Sequence, residues 1–261
     1  MSERVGPPAG ITLSESGGVR YLHFGTEWVQ GAMRITRPYK LELEYQQQMM
    51  APLLLLPAPR RILQLGLGAA ALTKFCHRHV KSAQTIVVEL DSDVIETARR
   101  WFDLPEDDLR LTVVRDDALR FLHRPAQRAS VDWLQVDLYD AQARGPVYDD
   151  AAFYVACRHA LKEPGVASFN LFGRNLGPSL EVIAQAFDGR VAVLKAAEAG
   201  NRIVLAVVGD PVRLDAAQLR QRARALEARF ALPAGRWVTG LSQPRGGRPG
   251  GRLAAVRQLS L

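Results

Sequence analysis

Apolar and polar positions change rhythm twice along the chain. Before residue 40, apolar residues form short runs at strand spacing. Val19–Phe24 and Trp28–Ile35 read as strands parted by Gly25, a turn residue. From about Leu41 to Leu55 the spacing becomes helical, with Leu41, Tyr45, Gln48 and Met49 on one face, until Pro57 and Pro59 break the chain. Beyond Arg60, strands and helices alternate. Ile62–Leu65 is an apolar run ending in Gly66, and Ala69–His79 is helical. Thr85–Leu90 is β-branched, and Asp93–Phe102 sets Val94, Ile95, Ala98, Trp101 and Phe102 at helical spacing. Leu111–Val114 and Val131–Val136 are further strands. A helix over Phe153–Leu161 is expected to stop at Pro164-Gly165. Val166–Leu171 is the fifth strand, Ser179–Phe187 a helix and Val191–Leu194 the sixth strand. Gly200-Asn201 then turns the chain into Arg202–Val208.

This alternation argues for a parallel sheet covered on both faces. The turn before Arg202 makes the last strand antiparallel to its neighbour. The expected fold class is α/β: a seven-stranded, Rossmann-like sheet of the class I AdoMet type with a small N-terminal β-appendage. Further on, Leu219, Ala223, Leu226 and Phe230 recur at helical spacing as one packing helix. The expected organisation is strands and a linking helix over 1–58, a Rossmann-like catalytic domain over 59–210, a packing helix over 211–235 and a basic tail over 236–261. The chain shows no internal repeat.

Composition narrows the picture. The 261 residues, 48% hydrophobic and 23% charged, exclude a disordered chain, a collagen and a coiled coil. The two cysteines, Cys76 and Cys157, form no CxxC and suit a reducing cytosol. Met1–Gly10 lacks the apolar core of a signal peptide, and Leu53–Leu56 is too short to cross a bilayer, so a cytoplasmic protein without a membrane partner is expected. Part of the net charge of +7 sits at the end: Arg236, Arg245, Arg248, Arg252 and Arg257 have no acid among them. This reads as a solvated, partly disordered tail. No nucleic-acid-binding signature accompanies it, so nucleic acid is not an expected partner.

Candidate chemistry gathers where strands end. Gly66-Leu67-Gly68-Ala69-Ala70-Ala71 follows a strand and opens a helix, and Gly66 and Gly68 let the backbone approach a ligand. Ala71 fills the place of the third glycine of a dinucleotide fingerprint. Glu89, 23 residues after Gly66, ends the second strand, where an acid can accept both ribose hydroxyls of a nucleoside. The absence of a phosphate cradle favours an adenosyl ligand without phosphate. Asp116-Asp117-Ala118 follows the third strand and can accept from an adenine amine, cap the next helix, or do both. Asp137-Leu138-Tyr139-Asp140 ends the fourth strand, where one carboxylate can take a proton from an amine and the other can hold a cation. His77 and His79, spaced i, i+2, do not share a helix face, so no metal is expected. Ser130 and Ser168 lack a nucleophile-elbow context.

From Tyr21 to Val208 these residues resemble the spermidine synthase family, the polyamine aminopropyltransferases. Tyr45-Gln46-Gln47 matches the family's early Tyr-Gln/His-Glu in type, with Gln47 in place of Glu. Val88-Glu89-Leu90-Asp91 matches Val-Glu-Ile-Asp, Asp116-Asp117-Ala118 matches Gly-Asp-Ala, and Asp137-Leu138-Tyr139-Asp140 matches the catalytic Asp-x-x-Asp. Gly145-Pro146 and Phe153-Tyr154 follow as in the family.

The resemblance implies decarboxylated S-adenosylmethionine as co-substrate, no metal, and a small amine such as putrescine as acceptor. Gly66, Gly68, Glu89, Asp116, Asp117 and Ala118 would bind the donor, with Glu89 on its ribose and Asp117 on its adenine. Asp137 would be the general base, and Asp140, Tyr45 and Gln46 would orient the amine. The family often forms homodimers. Three features depart from it. Ala69 replaces the loop Asp that holds the donor's ammonium, the first β-region is short, and a net charge of +7 does not steer a polycation from afar. Two alternatives therefore stay open: an AdoMet-dependent methyltransferase on the same scaffold, and an adenosyl-binding relic without turnover.

Overall fold

The computed structural model describes residues 7–8, 10–139, 146–173, 175–210, 212–244, 253–255 and 258–260. The chain opens with β1 (Thr12–Ser16), β2 (Val19–His23) and β3 (Gly31–Arg34), an antiparallel sheet in that order. The first of these is largely exposed, and its Thr-Leu-Ser-Glu-Ser sequence carries no apolar run to announce it. The second expected strand shortens to β3, leaving Trp28 and Val29 exposed on the connecting loop. The helix expected over 41–55 also divides. α1 (Glu44–Gln48) ends before a 3-10 turn over Ala51–Leu54, where Pro52 supplies no N–H for a continuing α-helical ladder.

The alternating region follows as β4 (Arg61–Leu65), α2 (Ala71–His79), β5 (Gln84–Glu89), α3 (Ser92–Trp101), β6 (Leu111–Arg115), α4 (Ala118–Leu122), β7 (Val131–Val136), α5 (Ala151–Ala160), β8 (Leu161–Leu171), α6 (Gly177–Ala186), β9 (Val191–Val193) and β10 (Arg202–Val208). Parallel pairing runs through β6-β5-β4-β7-β8. β10 inserts antiparallel between β8 and β9. These are the seven expected strands. Strict alternation sorts their side chains. On β10, Ile203, Leu205 and Val207 join the core beneath α2 and the C-terminal helices. Val204, Ala206 and Val208 join the opposite core, with Phe121, Phe153, Ile183 and Phe187 from α4, α5 and α6.

One stop signal differs from expectation. α5 ends at Ala160, but Pro164-Gly165 lies inside β8. The pairing with β7 steps from Val131↔Leu161 directly to Trp133↔Val166, so Lys162–Gly165 bulges out of that ladder, while Gly165 still pairs with Val208 of β10. A bulge is where a sheet tolerates a missing N–H.

The C-terminal part comprises β11 (Arg213–Asp215), α7 (Ala216–Phe230), α8 (Ala234–Gly240), β12 (Ser242–Pro244), β13 (Leu253–Ala255) and β14 (Gln258–Ser260). α7 starts at a full capping box between Asp215 and Gln218 and buries Leu219, Ala223 and Leu226. The described residues of the tail supply three short strands, and Arg245, Arg248, Arg252 and Arg257, on which the expectation of a solvated tail rested, lie outside the described residues. β12 and β13 extend the central sheet to nine strands beyond β9, and β14 pairs with β11 while burying Leu259. Among the described residues, no helix is long and apolar enough to cross a membrane.

Candidate active site

Strand order reverses beside β4: the chain runs to β5 and β6 on one side and to β7 and β8 on the other. Open α/β sheets hold ligands at the carboxyl ends of strands at such a point. A cavity of about 1020 Å³ lies there. Tyr45, Gln46, Gly66, Gly68, Glu89, Asp116, Asp117, Ala118 and Asp137 all border it. Asp140, expected beside them, lies outside the described residues, as does Gly145.

The glycine loop is built from left-handed backbone: Gly66, Gly68 and Ala70 have φ of 94°, 51° and 55°. At Gly66 the requirement is also steric, since a Cβ would sit closer than 3.0 Å to the Asp137 carbonyl oxygen. The loop after β4 thus packs directly against the backbone of Asp137 at the end of β7. The N-terminal sheet closes on the same loop. A Cβ on Gly31 of β3 would lie 2.5 Å from that of Ala69. Gly31 thus has no room for a side chain above Ala69, the position where the family carries Asp and which also borders the cavity.

Glu89 ends β5 with its carboxylate fixed from two sides, by the Leu67 N–H on Oε2 and the Asp91 N–H on Oε1, both at 3.0 Å. Burial pushes its carboxyl up, and the N–H groups of Asp91, Leu67 and Leu90 oppose this. Asp116 behaves differently from a ligand-facing acid. Its buried carboxylate pairs with Arg120 and Arg124 and accepts the Asp117 N–H at 2.9 Å. Burial alone would raise it, yet the Arg120 bond, the Asp117 N–H and the two guanidinium charges hold it below the usual range. Asp117 caps α4, accepting from the Arg120 N–H at 2.8 Å and from the Tyr148 hydroxyl.

Asp137 sits at the centre. Burial raises its carboxyl, while Asn170 and the Tyr45 hydroxyl draw it down. Asn170 Nδ2 donates to Asp137 Oδ1 at 2.8 Å, and Asn201 Nδ2 donates to Asn170 Oδ1 at 3.0 Å. The Tyr45 phenol is raised by burial and by the Asp137 charge, so it stays a hydrogen-bond donor. Gln46 is buried, gives Nε2 to the Tyr45 hydroxyl at 3.4 Å, and keeps Oε1 without a partner among the described residues. Gln47 does not border this cavity; its amide donates to the Leu41 carbonyl at 2.9 Å.

The charge of the lining is one-sided. Nine carboxylates border the cavity and, among the described residues, no lysine, arginine or histidine does. Glu42 pairs with Arg34, and Asp116 with Arg120 and Arg124. Glu27, Glu44, Glu89, Asp91, Asp117, Asp137 and Glu198 are not in ion pairs with described residues. The sequence reading missed Glu27, Glu44, Glu198, Asn170, Asn201 and Tyr148. A polar Asn inside the apolar β8 run was the one visible signal among them. No group of three or more potential metal ligands occurs among the described residues.

Sheet topology, glycine loop and strand-end acids together define an α/β transferase scaffold of the class I AdoMet type. Known proteins give the family. The model of the spermine/spermidine synthase domain matches residues 42–171. A polyamine aminopropyltransferase from Chromobacterium violaceum is 33% identical over 235 residues, 89% of each chain. The fold is shared with a probable spermidine synthase from Corynebacterium glutamicum (TM-score 0.70, 20% identity, 85% of each chain). It is also shared with human methyltransferase-like protein 13 in complex with SAH (TM-score 0.64, 26% identity, 72% of this chain and 92% of that one). The chain belongs to the spermine/spermidine synthase family and is a transferase enzyme.

Proposed function

We propose that the protein transfers an aminopropyl group from decarboxylated S-adenosylmethionine to a small polyamine precursor such as putrescine. One observation carries this reading: the cavity is lined by nine carboxylates and by no cationic side chain among the described residues. Such a site attracts ammonium groups at short range even on a chain of net charge +7. It also separates the two donors. Ordinary AdoMet carries, beside the same ammonium, a carboxylate that would face the like charges of this lining, whereas the decarboxylated donor carries the ammonium alone. The resemblance to a methyltransferase in complex with SAH favours an adenosyl ligand but carries no such charge argument.

In this reading Glu89 takes the ribose hydroxyls with the lone pairs its two N–H donors leave open. Asp117 and Tyr148 meet the adenine. Glu44 and Glu198, joined through the Glu198 N–H on Glu44 Oε2 at 2.7 Å, face the far ammonium of the amine. Asp137 receives a proton from the attacking nitrogen. The nitrogen then bonds to the carbon beside the sulfonium as the C–S bond breaks, and methylthioadenosine leaves. Burial strengthens Asp137 as a base, and its fixed position supplies the alignment an in-line displacement needs. Ala69 offers the donor's ammonium no carboxylate, and acids from the N-terminal segment and the β9–β10 turn offset this.

The test incubates purified protein with decarboxylated S-adenosylmethionine and putrescine, cadaverine or spermidine, and reads products by mass spectrometry. Equimolar methylthioadenosine and an aminopropylated amine are expected. Methyl transfer from AdoMet with no aminopropyl product from any amine would overturn the proposal.

A further inference from the structure

We propose that Asn201 and Asn170 form a two-amide relay that orients the Asp137 carboxylate, with Asn201 the positioning residue at its far end. This rests on the reading of Asp137 as the base. Asn170 is the one amide in the Val166–Leu171 run, whose other polar residue is Ser168, and Asn201 follows the Gly200 turn directly before β10. Both are buried, 3% and 8% exposed. Amides inside a core persist when their hydrogen bonds are made and ordered.

The order is set by donors and acceptors. Asn201 Nδ2 donates to Asn170 Oδ1 at 3.0 Å, so the Asn170 oxygen is taken and its NH2 alone can face Asp137. That NH2 donates to Oδ1 of Asp137 at 2.8 Å. One carboxylate oxygen is thereby pinned, and the carboxylate plane is fixed relative to the incoming amine. The turn between β9 and β10 is tied to the base by side chains rather than by the sheet ladder. Without Asn201 the Asn170 oxygen loses the donor that holds it, and the Asp137 carboxylate alone is left to fix the sense of the amide.

The titratable groups that interact with Asp137 are Tyr45 from α1 and Tyr139 from the segment after β7, and Glu44, Glu89 and Glu198 border the same cavity. All are kept in the variants below, so a shift in the pH profile reports the relay.

The experiment measures the pH dependence of kcat/KM for aminopropyl transfer in wild type, Asn201→Ala and Asn201→Ser. In Asn201→Ala the acid limb is expected to move up by about one pH unit, with kcat down about tenfold and KM for the amine little changed. Asn201→Ser keeps a donor hydroxyl and is expected to fall between wild type and Asn201→Ala, which keeps the test alive if one variant folds poorly. Methylthioadenosine binding by calorimetry is expected to match wild type in both. A wild-type pH profile in both variants, or equal loss of donor binding and turnover with no shift, would overturn the relay. Full transfer activity in Asp137→Asn would instead overturn the base assignment on which it rests.

Discussion

Replacing Glu89 with Gln tests the donor site with little change in shape. In the wild type one carboxylate oxygen accepts the Leu67 N–H and the other the Asp91 N–H, each at 3.0 Å. A glutamine can satisfy only one of them, because its NH2 faces a second donor. Leaving the other N–H unpaired costs about 1–3 kcal/mol, offset in part by no longer burying a charge whose carboxyl burial already pushes up. The melting temperature is therefore expected to move little. Binding is expected to change far more. A ribose hydroxyl is deprived of a charged acceptor worth about 1.5–3 kcal/mol, which is roughly 10- to 150-fold in Kd. Calorimetric titration with methylthioadenosine, which carries the ribose but no aminopropyl tail, isolates this interaction. A variant that binds methylthioadenosine as tightly as wild type would refute the ribose assignment. A variant that loses binding only because its melting temperature collapses would refute the claim that the carboxylate acts on the ligand rather than on the loop.

Three further outcomes follow from the geometry. Asp137→Asn is expected to lower kcat about 10²- to 10⁴-fold while methylthioadenosine binding stays within a few-fold of wild type, and wild-type turnover would contradict the base role. Gly66→Ala must bring a Cβ into the Asp137 carbonyl at a φ of 94°; a loss of about 100-fold in kcat/KM is expected, and an unchanged rate would show that the loop does not position Asp137. Lys74 is buried on α2 with Nζ on the Phe102 carbonyl at 2.6 Å, and burial, opposed by the Asp103 charge, lowers it from 10.5 to about 8. Its folded form gives up its proton more readily than the unfolded chain, so its charge destabilises fully below pH 8 and progressively less up to 10.5. The stability difference between Lys74→Met and wild type is accordingly expected to shift by up to about 3 kcal/mol over that window, read by urea melts, and parallel curves would contradict it.

Much of the fold was legible because buried parallel strands are nearly continuous apolar runs and their helices keep a helical period. The turn at Gly200-Asn201 even foretold the antiparallel β10. What escaped depended on partners distant in sequence. β1 has no apolar pattern and exists through pairing with β2. Pro164-Gly165 reads as a stop in isolation and becomes a bulge only against β7. The short strands β12, β13 and β14 near the chain's end have no sequence signal of their own and exist through the edges they pair with. At the site, acids at strand ends could be placed from their spacing, because an α/β sheet delivers every strand end to one rim. Whether a carboxylate is free could not be read that way. Asp116 and Asp117 both border the cavity, yet one is taken by two arginines while the other caps α4 and accepts from the Tyr148 hydroxyl. In sequence Ala69 is a small residue where the family has an acid. In the fold, Gly31 packed above it shows that the loop and the N-terminal sheet are fitted to each other.

Donor choice tests the central claim most directly. Calorimetric titration of the wild-type protein with decarboxylated S-adenosylmethionine and with AdoMet, at one pH and salt, compares an ammonium-ended with a carboxylate-bearing ligand in the same carboxylate-lined cavity. Tighter binding of the decarboxylated donor by tenfold or more is the expected result. Equal binding, or preference for AdoMet, would contradict it.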